Sequence, residues 1–311
     1  MGTSKVRRHI IGSSSSLARG GEDLHALHAL TEVIARAERL VALTGAGCST
    51  ASGIPDYRDD DGEWKRNPPM RYQTFLGSEK ARRRYWARSM VGWSLVDKAR
   101  PNAAHRALAH FEGYGALRYL ITQNVDGLHQ KAGSRNVNDL HGRIDRVRCV
   151  DCDDVRPRIE FQDRLFEANP AFRAQAAAFA PDGDADLETD TAALELERFR
   201  TLDCARCGGV LKPDVVFFGE SVPRDLVTEA MTCVDEADAL LVVGSSLMVW
   251  SGYRFVKRAA QNQIPVVMVN LGKTRADGEL DVKVQADCGE TLTAVVEALS
   301  PGRLNPSYVS S

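Results

Sequence analysis

Leu40-Val41-Ala42-Leu43-Thr44-Gly45-Ala46-Gly47-Cys48-Ser49 is the stretch on which the fold turns. Its apolar opening predicts a short strand buried on both faces, the habit of a parallel sheet covered by helices on each side. Two glycines follow where that strand must turn. Backbone N–H groups there can approach a phosphate closely, and the next helix N-terminus adds a favourable dipole. Towards the N-terminus, Leu24, Leu27, Leu30, Ile34 and Ala37 recur at helical spacing after Asp23, a suitable N-cap. Towards the C-terminus the same grammar repeats. A helix over 103–111 leads to a strand over 117–122, one around 225–236 to a strand over 239–243, and one around 253–261 to a strand over 264–269. This alternation predicts an α/β fold, a doubly wound parallel sheet of Rossmann-like kind.

Two regions break the rhythm and read as insertions forming a smaller helical and metal-binding lobe. Residues 57–96 are rich in charge and aromatics, and residues 149–212 hold two cysteine pairs around an Ala-rich, acidic stretch over 176–193 that suits a loop. The expected division is a loose leader over 1–20, a large domain over 21–56, 97–148 and 213–300, the small lobe between, and a tail over 301–311.

The glycine loop does not complete the dinucleotide fingerprint Gly-x-Gly-x-x-Gly, since position 50 is Thr and the next glycine is Gly53. A nicotinamide oxidoreductase is thereby disfavoured. By itself the loop fits a bare tight turn as well as a ligand cradle.

The chain has 311 residues with 40 basic and 42 acidic side chains, a net charge of −2. That length allows a full core with one sizeable insertion. The near-zero charge argues against direct nucleic-acid binding, which needs a clustered basic surface. No stretch approaches the ~18 consecutive apolar residues of a membrane span, so no membrane partner is expected. MGTSKVRRHIIGSSSS has too small an apolar patch for a secretory signal, although its arginines and serines are compatible with a mitochondrial presequence. Seven cysteines, an odd number, suit a reducing compartment: cytoplasmic in a bacterium, with the mitochondrial matrix as the eukaryotic alternative.

Cys149-x-x-Cys152 and Cys204-x-x-Cys207, separated by 51 residues, can each offer two thiolates to one ion. A structural zinc is the expectation; a redox Cys-x-x-Cys or inert thiols are the alternatives. Four protein ligands leave no open position, so this zinc would not activate water.

Further motifs follow in order: Gly53-Ile54-Pro55-Asp56-Tyr57-Arg58, Gln123-Asn124-Val125-Asp126, Leu140-His141-Gly142, the run from Lys212 to Glu220, Gly244-Ser245-Ser246 and Asn270-Leu271-Gly272. With the cysteine pairs, this set resembles the sirtuins, NAD-dependent protein-lysine deacylases, over about residues 28–300. Tyr85-Trp86-Ala87-Arg88 and the long inter-cysteine segment are most similar to their class II group.

The resemblance implies NAD as co-substrate, one structural zinc, and acylated lysine in proteins or peptides as the partner. The products would be nicotinamide, O-acyl-ADP-ribose and free lysine. Protein mono-ADP-ribosyl transfer and a non-catalytic NAD- or ADP-ribose-sensing scaffold are the competing functions; oligomeric state is unknown. His141 would be the general base, an imidazole titrating near neutrality. Gln123 and Asn124 would bind the ribose and a water, and Asp126 the nicotinamide carboxamide. Gly45, Ala46, Gly47, Ser49, Ile54, Pro55, Asp56 and Arg58 would surround the cofactor, with Tyr57 shielding the reactive carbon.

By the same resemblance, Gly244, Ser245 and Ser246 would meet the diphosphate and adenosine ribose. Asn270 and Leu271 would meet that ribose, and Cys288 the adenine. Val216, Phe218 and Gly219 would receive the peptide and acyl-lysine. Tyr85 and Arg88, at i and i+3 of a helix, would read an acidic acyl group; the alternative is a helix that merely packs. His105 is expected to pack or cap.

Overall fold

A computed structural model describes residues 16–65, 69–170, 172, 178–179, 185–186 and 196–299. Helix α1 (Ser16–Arg36) feeds β1 (Leu40–Thr44), whose residues are all buried. The helix starts well before Asp23, so residues 16–20 are helical rather than part of a loose leader. Extending a helix adds one hydrogen bond per residue fixed, whereas nucleating it is costly. Residues 1–15 of the expected leader and the tail over 301–311 lie outside the described residues.

After β1 come α2 (Tyr72–Gly77), α3 (Glu79–Lys98) and α4 (Ala103–Gly113), which returns the chain to β2 (Leu117–Thr122). A one-turn helix α5 (Leu128–Lys131) precedes β3 (Val137–Asp139). Next are β4 (Gly142–Cys149), β5 (Val155–Pro157), α6 (Arg158–Ala168) and a short antiparallel pair, β6 (Ala178–Phe179) with β7 (Ala185–Asp186). The chain closes with β8 (Leu211–Val215), α7 (Arg224–Asp235), β9 (Ala239–Val243), α8 (Trp250–Gln261), β10 (Val266–Val269), β11 (Val282–Val284) and α9 (Cys288–Leu299).

Six strands form one parallel sheet in the order β11-β10-β9-β1-β2-β3. Helices α1, α4 and α9 cover one face through Leu30, Ile34, Leu108, Phe111, Leu292 and Val295. Helices α7 and α8 cover the other through Ala230, Val234, Phe255 and Val256. The sheet is the expected doubly wound one, enlarged at both edges by β3 and β11. Winding reverses between β1 and β9, and a crevice opens at their carboxyl ends, where such sheets bind ligands.

The small lobe is an antiparallel sheet, β5-β4-β8, with α2, α3 and α6. Gly142 pairs with Val215, so this sheet runs from 142 to 215, past the edges expected at 149 and 212. Its core is aromatic, with Phe75, Trp86, Trp93, Phe161, Phe199 and Phe217 in one buried cluster. Most of the acidic stretch over 176–193 lies outside the described residues. No helix among the described residues is long and apolar enough to cross a membrane.

Candidate active site

Because β1 and β9 pair in register from Leu40↔Ala239 to Thr44↔Val243, the turns that follow them collide. The Gly47 N–H donates to the Gly244 carbonyl at 2.8 Å, and the Gly45 N–H to the Val243 carbonyl at 3.1 Å. A Cβ on Gly244, where φ is +60°, would sit 2.2 Å from the Cys48 nitrogen; one on Gly45 would sit 2.7 Å from the Ser245 Cβ. Backbone already fills that space, so only glycine lets the two turns nest and leaves the crevice above them open. Such a cradle fits the phosphates of a dinucleotide.

The polar end of β2 is tied to the same turns. Gln123 Nε2 donates to Ser245 Oγ at 2.7 Å, and Asn124 Nδ2 donates to the Gly45 carbonyl and to Ser49 Oγ, both at 3.0 Å. The Ser49 hydroxyl donates to Asp126 Oδ2 at 2.7 Å, while the Leu128 N–H donates to Asp126 Oδ1 at 2.9 Å. Burial raises the Asp126 carboxyl above its ordinary range, opposed by these two hydrogen bonds. His105 closes a capping box on α4 with Asn102, as a capping residue should.

His141 is half-buried with its Nδ1 2.9 Å from the Gln123 carbonyl. A carbonyl only accepts, so Nδ1 carries the proton and Nε2 is left as acceptor. Ser251, in the first turn of α8, donates to that Nε2 at 2.8 Å. Burial pushes the imidazole down to about 4, with the Arg254 charge adding to the effect against the Gln123 bond. The ring is therefore neutral at physiological pH, ready to accept a proton. Ser251 carries no sequence motif, and only the approach of α8 to the β4 entry identifies it.

The loop after Gly53 leans over the cavity. Asp56 pairs with Lys65 at 2.6 Å, and Arg58 donates to the Gly62 carbonyl at 2.6 Å while its guanidinium lies 4.0 Å over the Trp64 ring. Trp64 in turn meets Phe218 edge-on at 5.6 Å between ring centres.

One cavity of about 1810 Å³, counting its open mouth, joins these parts. Its walls include the 45–47 turn with Ser49, the 54–58 loop, Gln123, Asn124, Asp126 and His141. The turn over 244–246, Asn270, Leu271 and Cys288 line it, as do Val216, Phe218 and Tyr85. Two expected site residues are not brought in: Gly219 and Arg88 do not line the cavity. Gly219 has its carbonyl held by Gln73 at 2.9 Å. Arg88 stands about 60° round α3 from Tyr85, since three residues turn a helix through roughly 300°, and it is half-buried.

Within the small lobe, the four paired cysteines place one sulfur each within 4.8 Å of all the others. Cys149 and Cys207 Sγ are 3.5 Å apart, and Cys152 and Cys204 Sγ 3.8 Å. A tetrahedral zinc with Zn–S of ~2.3 Å requires about 3.8 Å between sulfurs. The thiols fit a closed structural zinc site, and with all four sulfurs engaged this metal takes no part in the chemistry.

The profile of the Sir2 family matches residues 45–251. An NAD-dependent protein deacetylase of Bordetella bronchiseptica is 57% identical over 270 residues, covering 87% of this chain and 97% of its own. NAD-dependent protein deacetylase 2 of Bradyrhizobium diazoefficiens is 57% identical over 263 residues, 85% of this chain and 95% of its own. Among solved structures, a Sir2 enzyme superimposes with a TM-score of 0.69 at 33% identity, covering 88% of this chain and 98% of its own. A Sir2 complex with a p53 peptide and NAD+ gives 0.66 at 28% identity, again covering 88% and 98%. With the nested glycine turns, the tethered imidazole and the four thiols in place, the chain belongs to the Sir2 family.

Proposed function

We propose that the protein removes acyl groups from lysine side chains of proteins at the expense of NAD, releasing nicotinamide, O-acyl-ADP-ribose and free lysine. The observation that carries this reading is the neutral His141, its proton kept on Nδ1 by Gln123, in the same cavity as the Gly45–Gly47 turn. The names of the Bordetella and Bradyrhizobium relatives, and the Sir2 complex holding a peptide with NAD+, support it.

Bound NAD would supply the electrophile, the ribosyl carbon that carries nicotinamide, to the acyl oxygen of the modified lysine. That oxygen is weakly nucleophilic, so this chain's contribution is positioning and electrostatic support. Gln123 and Asn124, pinned to both glycine turns, orient the ribose and a water. Asp126 accepts from the carboxamide, and Tyr57 on the 54–58 loop keeps water from the reacting carbon. His141 takes a ribose hydroxyl proton at Nε2 once the Ser251 hydroxyl gives way. Asn270, Leu271 and Cys288 serve the adenosine end, and Val216 and Phe218 guide the peptide.

The lobe-side wall favours an uncharged acyl group. Tyr85, Val96, Ile144, Val215 and Phe217 line the cavity and belong to the lobe's apolar cluster. The lining cations among the described residues, Arg58 and Lys273, are occupied by the Gly62 carbonyl and by Asp61. We place the protein in the bacterial cytoplasm, as the relatives above are bacterial.

The test is a panel of acetyl-, butyryl-, succinyl- and glutaryl-lysine peptides incubated with NAD and read by mass spectrometry. Loss of the acyl mass is expected, fastest for the uncharged groups; gain of ADP-ribose instead would select the transferase reading. His141→Ala should lower turnover by about 10²–10⁴-fold, the typical worth of a general base. Undiminished deacylation would remove His141 from that role.

A further inference from the structure

We propose that Cys48, His105 and His129 form a second metal site, specific for a thiophilic divalent ion such as Zn2+, whose filling shuts down the active site. The residues come from three elements: the turn after β1, the first turn of α4, and α5. One donor atom from each lies within 4.8 Å of the other two, and all three side chains are buried. None of them belongs to the four-cysteine site.

The donors are in a state to bind. The His105 and His129 rings lie 4.8 Å apart at 54°. His129 Nε2 meets Thr44 Oγ1 at 2.9 Å, and its buried Nδ1 has no hydrogen-bond partner among the described residues. An orphaned nitrogen at such depth is costly, and a metal bond would satisfy it. Burial drives His105 down to about 4 and His129 downward as well, so both imidazoles are uncharged at neutral pH; His129 offers its unpartnered Nδ1, and His105 binds by giving up its Asn102 capping bond or its Ser49 contact. Cys48 is a neutral thiol, raised by burial. On binding, its S–H bond breaks, the S–metal bond forms and the proton leaves to solvent. The Asp126 charge also acts on Cys48, so thiolate and carboxylate together balance a divalent cation.

The geometry needs a modest contraction. Metal–sulfur and metal–nitrogen bonds of ~2.3 and ~2.0 Å put ligand atoms about 3.5 Å apart, so donors that already lie within 4.8 Å of one another must close by at most roughly 1.3 Å. The consequence reaches the cavity through Ser49, whose Oγ is 3.4 Å from His105 Nε2 and also anchors Asp126 and Asn124. A metal drawing His105 away from Ser49 loosens both.

The inhibition rests on the deacylase reading, whereas metal uptake does not. Protein carrying its four-cysteine zinc is dialysed against buffered free Zn2+, and bound zinc is counted by elemental analysis. Wild type should take up one ion more than Cys48→Ala or His129→Gln. Its deacylation should fall as that ion binds, with the half-inhibiting Zn2+ concentration rising at least about tenfold in either variant, each normalised to its own rate without added metal. Equal uptake by wild type and variants overturns the proposal, as does extra uptake with no loss of turnover. If no variant and no wild type deacylates, the deacylase reading fails and the zinc count alone decides the site. Crystals of wild type soaked in Zn2+ avoid any folding defect. An anomalous peak between Cys48 Sγ and the two rings supports the site, and a peak at the four cysteines alone overturns it.

Discussion

The large domain and the small lobe solve the same problem of holding a cavity wall in place by different means. In the large domain, six parallel strands bury an aliphatic core on both faces, and the reactive side chains sit at strand tips whose turns interlock through glycine backbone. In the lobe, three short antiparallel strands and an aromatic cluster sit beside four thiols grouped to hold one ion. The sheet determines where the chemistry is; the lobe supplies one apolar wall and depends on its metal to do so. The small core also holds a buried cation. Arg158 is fully buried, its guanidinium within 5.2–5.5 Å of the Trp86, Trp93 and Phe161 rings, and two of its nitrogens lack partners among the described residues.

Stripping the zinc should separate the two regions most sharply. Structural zinc contributes on the order of 10 kcal/mol to small metal modules. Chelation, or Cys204→Ser, is therefore expected to unfold the lobe and abolish deacylation while the parallel sheet persists. Hydrogen exchange reads this directly: amides of β4 and β8 should lose protection while those of β1 and β9 keep theirs. Protection lost equally in both would mean one cooperative unit and erase the distinction.

The glycine interlock comes next. Gly244→Ala adds a Cβ at positive φ against the Cys48 amide, so NAD affinity by calorimetry should drop about 100-fold, with roughly 2–3 kcal/mol lost in stability. Zinc content should stay unchanged. Affinity near wild type would show that the two turns can separate without loss of function.

Acid should act on the large domain before the lobe's aromatic core. His105 and His129 are held below their unfolded value of ~6.5, so the unfolded chain binds protons first as pH falls. Their stabilising contribution is complete above about 6.5 and is lost as pH falls below it, for His105 towards about 4. For His105 the full shift is worth about 3 kcal/mol. His129→Gln should flatten part of the melting temperature's slope over that window; an unaltered slope would assign it elsewhere.

Smallest of all should be Arg158→Met. A buried guanidinium with no ion-pair partner among the described residues, held only by long contacts to Ser89, gives little net stability, and an apolar side chain of similar length fills its place, so a change within about 1 kcal/mol in either direction is expected. A loss above about 3 kcal/mol in urea unfolding would show that the cation holds the aromatic cluster together.

Residue order alone was enough for the alternation that makes the parallel sheet, because buried strands such as Leu40–Leu43 and Ala239–Val243 are continuous apolar runs that no surface element tolerates. It was also enough for the cysteine pairs, whose spacing is local. Three-residue edge strands such as Val137–Asp139 and Val282–Val284 are too short for any period to emerge, and they form because a neighbouring strand offers free hydrogen-bonding groups. The start of the lobe at Gly142 depends on pairing with Val215, seventy-odd residues away in the sequence. The same holds for direction and partnership at the site. Helical spacing put Tyr85 and Arg88 on one face, but of the two only the tyrosine lines the cavity once α3 is packed. Ser251 became a partner of His141, and Cys48 a neighbour of His105 and His129, through contacts between elements far apart in the chain. Periodicity and spacing are written in the sequence because they report each residue's immediate neighbours; the proton on an imidazole and the company of a buried thiol are set by long-range packing, which only the folded chain defines.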